Sequence, residues 1–292
     1  MLESLTLKVK EYARKIGADL VGIANSELLE NPDPGCGHIP PSAYLKGCKA
    51  IIVIGLAHTD ICTQYPEFPV EDLLYQDVYC NEYHTINTEL DRIAYKIARF
   101  METNGYNAVS IPASSPFRRS SKPLPKYDRF YYAGISHRYA AYCAGLGAFG
   151  VSSLLLTPEF GPRVRFVCVL TDAPLEHDKP YKGKVCTRCN ACVEACPSGA
   201  ITPVVDPSDA ENVFKNYNQI KCVYGMRVLR DPVYPKIPPE SLTFEYLTNN
   251  ILSRPTPSEM QAQYTIYVPC GICMKVCKVG KTSNKKRIPE KP

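Results

Sequence analysis

The sequence predicts a mixed α/β chain in two parts: a layered domain over residues 1–178 and a smaller cysteine-bound module over residues 179–292. Three observations carry this reading. Strand-like apolar runs alternate with helical periodicity through the first part. The polar stretch "HDKPYKGK" then reads as a linker. After it comes "CTRCNACVEACPSGAI" (186–201), with cysteines spaced C-x2-C-x2-C-x3-C and followed by Pro197. A length of 292 residues suits two domains, at roughly 100–200 residues each.

The elements follow in order. Leu5 to Ile16 has the periodicity of an amphipathic helix, and "ADLVGIA" (18–24) that of a buried strand. Prolines and glycines from Pro32 to Pro41 mark a loop. "KAIIVIGLA" (49–57) is a β-branched run, as in a strand buried on both faces. Residues 85–105 read as a helix with Ile86, Leu90, Ile93, Ile97 and Phe100 on one face and Gly105 as its stop. "NAVSIP" (107–112) is a short strand, and the proline-rich basic stretch after it is irregular. "HRYAAYCAGLGAFG" (137–150) reads as a helix ending in a glycine turn, and "RVRFVCVLTD" (163–172) as another strand.

Composition narrows the functional classes. Hydrophobic content of 45% and charged content of 22% are those of a soluble globular chain. The formal charge of +5 counts the cysteines as neutral thiols, so it is weak support for a nucleic-acid partner. The Lys- and Arg-rich tail from Lys275 to Lys291 reads as a solvated end. The N-terminus has charges at helical spacing and lacks the apolar core of a signal peptide. No apolar run reaches the ~18 residues that span a bilayer. The expected location is cytoplasmic, with no membrane association. There, fourteen cysteines point to metal binding or redox work rather than disulfides.

The cysteine run has the spacing of bacterial two-cluster ferredoxins, in which the fourth cysteine serves the other cluster. Further cysteines lie at Cys222 and in "CGICMKVC" (270–277). Counting ligands gives two [4Fe-4S] clusters. The first takes Cys186, Cys189, Cys192 and the distant Cys277. The second takes Cys196, Cys222, Cys270 and Cys273, with a long insertion between Cys222 and Cys270. The alternative for the run is a structural zinc site, whose usual ligands are paired C-x2-C knuckles. The alternative for Cys222 is a buried free thiol. Cys36, Cys48, Cys62, Cys80, Cys143 and Cys168 lack ligand spacing and read as core or loop thiols. The first part carries no G-x-G-x-x-G after a first strand and no G-x-x-x-x-G-K-[ST]. Its glycine-rich "AGLGAFG" (144–150) is equally a helix stop or a cofactor-contacting loop.

The segments "EYARKIGADLVGIA", "YLKGCKAIIVIGLAH", "NEYHTINTELDRIAYKIARFMETNGY" and "AGLGAFGVSSLLLTPEFGPRVRFVCVLTDAPL" precede the cysteine run, "KCVYG" and "CGICMKVC". Their content and order resemble the epoxyqueuosine reductases, cobalamin-dependent iron–sulfur enzymes related to reductive dehalogenases. The resemblance implies a nitroreductase-like α/β layer that holds a base-off cobalamin, followed by a ferredoxin-like two-cluster module with an insertion. It implies a reductase that takes electrons from a low-potential donor such as ferredoxin or flavodoxin and passes them to a small organic molecule or a modified base.

Three departures shape that expectation. The family's helical repeats that grip tRNA do not follow this cysteine module, which disfavours a tRNA substrate. Lys278 stands where the family has a proline after the last cysteine. Counting back from Ala144 to the family's acidic proton donor gives Tyr131, a residue type that looks more like the dehalogenase acid. Tyr131 and His137 are the candidate acids; Tyr131 reads first as an ordinary partly buried tyrosine, and His137 is equally a surface residue opening a helix. The resemblance further implies corrinoid contacts for Tyr83, His84, Ser136, Arg138, Gly145, Leu146 and Gly147. Arg118 and Arg119 read first as part of a solvated loop, with contact to the corrinoid's phosphate as the alternative. A second functional class stays open: an electron carrier, or a corrinoid reductase serving a partner protein.

Overall fold

The computed structural model describes residues 4–30, 39–59, 73–114, 134–204, 216–227, 242–243, 246 and 270–280. Helix α1 (Leu5–Lys15) is capped by Ser4, whose hydroxyl accepts from the Leu7 N–H at 3.3 Å. Strand β1 (Leu20–Asn25) leads through a 3-10 turn at Ser26–Leu29 and the short helix α2 (Pro41–Tyr44) to β2 (Ala50–Ala57). The long helix α3 (Leu73–Thr103) and strand β3 (Ala108–Ile111) follow. Next come α4 (His137–Cys143), the two-residue strands β4 (Ala148–Phe149) and β5 (Leu155–Leu156), and β6 (Val164–Thr171). The cysteine module contributes α5 (Ala191–Glu194), α6 (Gln219–Arg227) and α7 (Ile272–Val276).

The four-stranded sheet has the order β1-β2-β6-β3, and every pairing in it is antiparallel. Alternating strands and helices ordinarily indicate a parallel sheet. Here β2 and β3 do run parallel, joined through α3, but β6 lies between them and opposes both. The chain is mixed α/β, with its crossover split by a later strand.

Both faces of the sheet are covered, as the β-branched run at 49–57 requires. Ile51, Ile52, Val53 and Ile54 are all fully buried. Their side chains alternate between two cores, as a period of two dictates. Ile52 and Ile54 join Val21, Ile23, Val167 and Val169 beneath α1 and α3. Ile51 and Val53 join Cys168, Leu170, Phe149 and Phe160 beneath α4. Each such aliphatic side chain contributes about 1.5–3 kcal/mol by burial.

Small residues bring α4 close to the sheet. Ala140, Ala141, Cys143 and Ala144 face it, and a Cβ on Gly22 of β1 would lie 2.5 Å from the Ala144 carbonyl oxygen. On the outer side of β1, Asp178 ties the chain back to the strand. Its N–H donates to the Ile23 carbonyl at 2.8 Å, its carboxylate accepts from the Ile23 N–H at 2.8 Å, and Lys10 Nζ donates to it at 2.6 Å.

The structure differs from expectation in one element that bears on function. Helix α3 begins at Leu73, so Tyr83 and His84 sit inside it and not at a helix entry near residue 85. The "AGLG" segment is the expected glycine turn, with α4 ending at Cys143 and β4 beginning at Ala148.

Candidate functional site

The two cysteine runs fold alike. Asn190 (φ 55°) and Gly271 (φ 62°) each follow a cysteine in the left-handed conformation, which asparagine and glycine reach most readily. A one-turn helix follows each, α5 carrying Cys192 and α7 carrying Cys273. The amides at Val193 and Glu194 close onto the Asn190 carbonyl, as those at Met274 and Lys275 close onto Gly271. Helices α5 and α7 pack against each other, so the two runs meet.

Cys222 arrives by a separate route. Ile201 and Tyr217 form an antiparallel bridge just after the first run. Thr202 N–H donates to the Asn216 carbonyl at 3.0 Å, and Asn218 N–H to the Ala200 carbonyl at 2.8 Å. Cys222 lies one turn later, in α6.

Electrostatic neighbours sort the eight thiols. Burial pushes Cys192 up to about 11, and negative charge at Cys186, Cys277 and Cys189 adds to it. Burial also raises Cys277, whose cysteine neighbours are Cys186 and Cys189. Cys222 is raised by burial, then by Cys270 and Cys196. Burial again leads for Cys273, followed by Cys222, Cys270, Cys192 and Cys196. One set is therefore Cys186, Cys189, Cys192 and Cys277. The other is Cys196, Cys222, Cys270 and Cys273, with Cys192 and Cys273 where the sets meet. All eight are free thiols. Among the described residues, no three potential ligands converge on the spacing of a single metal ion. A tetrahedral zinc needs its sulfurs at about 2.3 Å from one point, whereas a four-iron cubane carries its thiolates on its outer corners. Free thiols gathered in this number are the donor chemistry of iron–sulfur clusters.

Other groups address these sulfurs. Ala200 N–H donates to Cys196 Sγ at 3.2 Å. The Tyr217 hydroxyl, whose own ionisation burial pushes far up, hydrogen-bonds to Cys222. Arg138 donates to the Ser153 carbonyl, and its charge favours the Cys222 thiolate. Arg138 thus sits on the second thiol set's side of α4.

The remaining expected residues scatter. Tyr131, Arg118 and Arg119 lie outside the described residues. Ser136 caps α4, its hydroxyl accepting from the Tyr139 N–H at 3.4 Å. His137, the first residue of α4, spans two elements. Its Nε2 faces the Pro112 carbonyl at 2.9 Å and its Nδ1 faces Cys168 Sγ at 3.2 Å. A carbonyl only accepts, so Nε2 carries the proton, and the buried Cys168 thiol donates to Nδ1. Tyr83 is buried, with the Arg165 guanidinium 4.0 Å from its ring centroid and His84 edge-on at 5.5 Å. The glycines of the turn are explained by the chain itself. A Cβ on Gly145 (φ 74°) would lie 2.5 Å from the Lys179 carbonyl oxygen, and one on Gly147 would strike the Leu156 carbonyl. Leu146 packs into the core beneath α4.

Residues 184–202 match the family of 4Fe-4S binding domains. A tetrachloroethene reductive dehalogenase from Desulfitobacterium hafniense is 37% identical over 123 residues, which is 41% of this chain and 19% of that protein. An epoxyqueuosine reductase from Cyclobacterium marinum is 29% identical over 224 residues, which is 68% of this chain and 64% of that protein. The chain is homologous to epoxyqueuosine reductases and reductive dehalogenases. A solved epoxyqueuosine reductase from Bacillus subtilis shares the fold, with a TM-score of 0.53 and 19% identity over 98% of this chain and 68% of that one. Among the described residues, no helix is long and apolar enough to cross a membrane.

In this relative of the two reductase groups, the structure adds a polar cluster that sequence reasoning missed. His58 Nδ1 meets Glu82 Oε1 at 2.9 Å, with the side chains 2% and 12% exposed. Thr59 donates to the same carboxylate from its N–H at 2.9 Å and from its hydroxyl at 2.5 Å. Arg165 Nε donates to Asn87 Oδ1 at 2.5 Å, and Ala113 N–H to Asp91 at 2.7 Å. Tyr79, Tyr83, Asn87 and Asp91 recur every four residues along α3. That stripe is legible only once the helix is known to begin near Leu73. Tyr79 reaches the cysteine module, since a Cβ on Gly271 would lie 2.8 Å from its ring.

Burial lowers the His58 pKa; the Glu82 hydrogen bond opposes this, while Arg165 and Arg163 reinforce it. The native state therefore keeps His58 neutral where the unfolded chain, titrating near ~6.5, takes a proton. Stability falls as pH drops through that value, until the lower native pKa is reached. Wild-type protein should lose more stability than His58→Gln between about pH 8 and about pH 5.5 in urea unfolding; parallel pH profiles would contradict the assignment.

Proposed function

We propose that the chain is a cobalamin-dependent iron–sulfur reductase. Electrons from a low-potential donor, a ferredoxin or flavodoxin, pass through two [4Fe-4S] clusters to a base-off corrinoid, and a small organic molecule or modified base is reduced. The observation that carries this reading is the sorting of eight thiols into two sets of four. In this proposal the sets are the two ligand sets, and the division into cofactor domain and cluster module falls at residues 178/179. The homology to two groups of named reductases supports the reading.

The thiols must be deprotonated to bind iron. Tyr217, Arg138 and the Ala200 N–H stand where they stabilise thiolates of the second set. When bound, a corrinoid supplies a strongly reducing cobalt centre. For its retention we propose Tyr83, His84, Ser136 and Arg138, with the turn Gly145–Leu146–Gly147 beside them. The fit there is incomplete: among the described residues, Gly145 and Gly147 face protein carbonyls and open no visible cradle. That observation favours a second reading, an electron carrier or a corrinoid reductase serving a partner.

For the proton we propose Tyr131 and His137. A tyrosine near pKa ~10 keeps its proton at neutral pH. His137 holds the Pro112 carbonyl, just ahead of the segment that contains Tyr131, and is suited to fixing where that segment begins.

The deciding experiment is anaerobic cluster reconstitution, addition of excess cobalamin, and desalting. We expect about eight irons and one retained cobalt per chain. Full iron without cobalt would replace the reductase reading by the carrier, and about four irons would contradict the two-set assignment. With both cofactors bound, Tyr131→Phe or His137→Gln should slow turnover about 10²–10⁴-fold at unchanged iron content. Undiminished turnover in both would remove the proposed acids.

A further inference from the structure

Three carbonyls of the second cysteine run converge on one side chain of the layered domain. Arg163, beside the first residue of β6, is only 1% exposed. Its Nη1 donates to the carbonyls of Met274 at 3.2 Å and Cys277 at 3.1 Å. Its Nη2 donates to the Val279 carbonyl. These groups lie at the open C-terminal end of α7, where carbonyls lack intrahelical donors and a cation is favoured.

The side chain is aimed by its own backbone. Arg163 N–H donates to Phe160 at 3.2 Å, and its carbonyl accepts from the His58 N–H at 2.9 Å. Gly161 (φ 58°) and Gly280 (φ 68°) meet back to back. A Cβ on Gly280 would collide with the backbone of Phe160 and Gly161, and one on Gly161 with the Val279 carbonyl. A planar fork with several donors suits three carbonyls in a way that an ammonium does not.

We propose that Arg163 sets the reduction potential of the iron–sulfur centre served by Cys277, holding a fixed positive charge beside that ligand while locking the run's end onto the layered domain. This rests on Cys277 being a cluster ligand, as proposed above. On reduction the centre takes one electron from the low-potential donor, or from dithionite in vitro; it gains one negative charge, and no bond is made or broken. The carbonyls orient the guanidinium charge without cancelling it. A cation there favours the reduced state, and Arg163 already favours negative charge on the Cys277 sulfur. Because the guanidinium is buried, salt screens it little. Arg163 is thus a positioning residue whose effect is read in a potential.

The test uses the full chain with reconstituted clusters, comparing wild type, Arg163→Gln and Arg163→Lys by iron content and EPR-monitored redox titration at low and high salt. Wild type is read first: fewer than about eight irons would contradict the cluster reading itself, independently of Arg163. With eight irons, Arg163→Gln should lower one of the two couples at least tenfold in the one-electron equilibrium, about 59 mV. The other couple should stay in place, and the shift should persist at high salt. Full iron with both couples at their wild-type positions would overturn the proposal. If the glutamine variant sheds iron, the lysine variant decides, because it retains the charge without the fork. Retained iron with a couple closer to wild type than a tenfold shift supports the proposal. Loss of iron there too would make Arg163 a packing residue only.

Discussion

Cys277 shares its surroundings with Cys186, Cys189 and Cys192, while Cys196 shares its own with Cys222, Cys270 and Cys273. Each run gives its last cysteine to the other's set, and this crossing constrains everything around it. Neither set is complete until residues far apart in sequence have met. The left-handed turns at Asn190 and Gly271 give both runs one local geometry, and the packing of α5 on α7 brings the runs together. The Ile201–Tyr217 bridge then fixes where α6 begins and so delivers Cys222.

The layered domain supplies the rigid surface for this meeting. Strand β6 lies between β2 and β3, buried on both faces. Arg163, beside its first residue, holds the carbonyls around Cys277. A second contact runs from Tyr79 on α3 to Gly271, between Cys270 and Cys273. A third is Gly150, where a Cβ would lie 3.6 Å from Cys186 Sγ. These contacts reach both groups of thiols.

The sequence was most legible where a periodic or spacing rule acts locally. The run at Ile51–Ile54 announces a strand covered on both faces, because no polar residue interrupts it. The spacing of the first cysteine run announces a 4Fe-4S binding segment, and residues 184–202 match that family. The antiparallel sheet was not legible, since the position of β6 between β2 and β3 is a long-range choice that local alternation does not encode. The early start of α3 was missed because the polar Glu82 interrupts the apolar face ahead of residue 85, and its partners His58 and Thr59 are distant in sequence. Arg163 was hidden for the same reason: a buried arginine that caps a remote helix end looks like any charge at the start of a strand. The glycines of "AGLGAFG" invited a cofactor reading, and the structure accounts for Gly145 and Gly147 by the approach of Lys179 and Leu156.

The crossing itself is tested most directly by comparing residual EPR spectra of single cysteine-to-serine variants after reduction. If the sets are crossed, Cys277→Ser and Cys189→Ser leave the same surviving centre with the same spectrum. Cys196→Ser and Cys222→Ser then leave the other one. If Cys277→Ser instead matches Cys270→Ser, each run binds its own cluster, and the two runs are not joined by exchanged ligands.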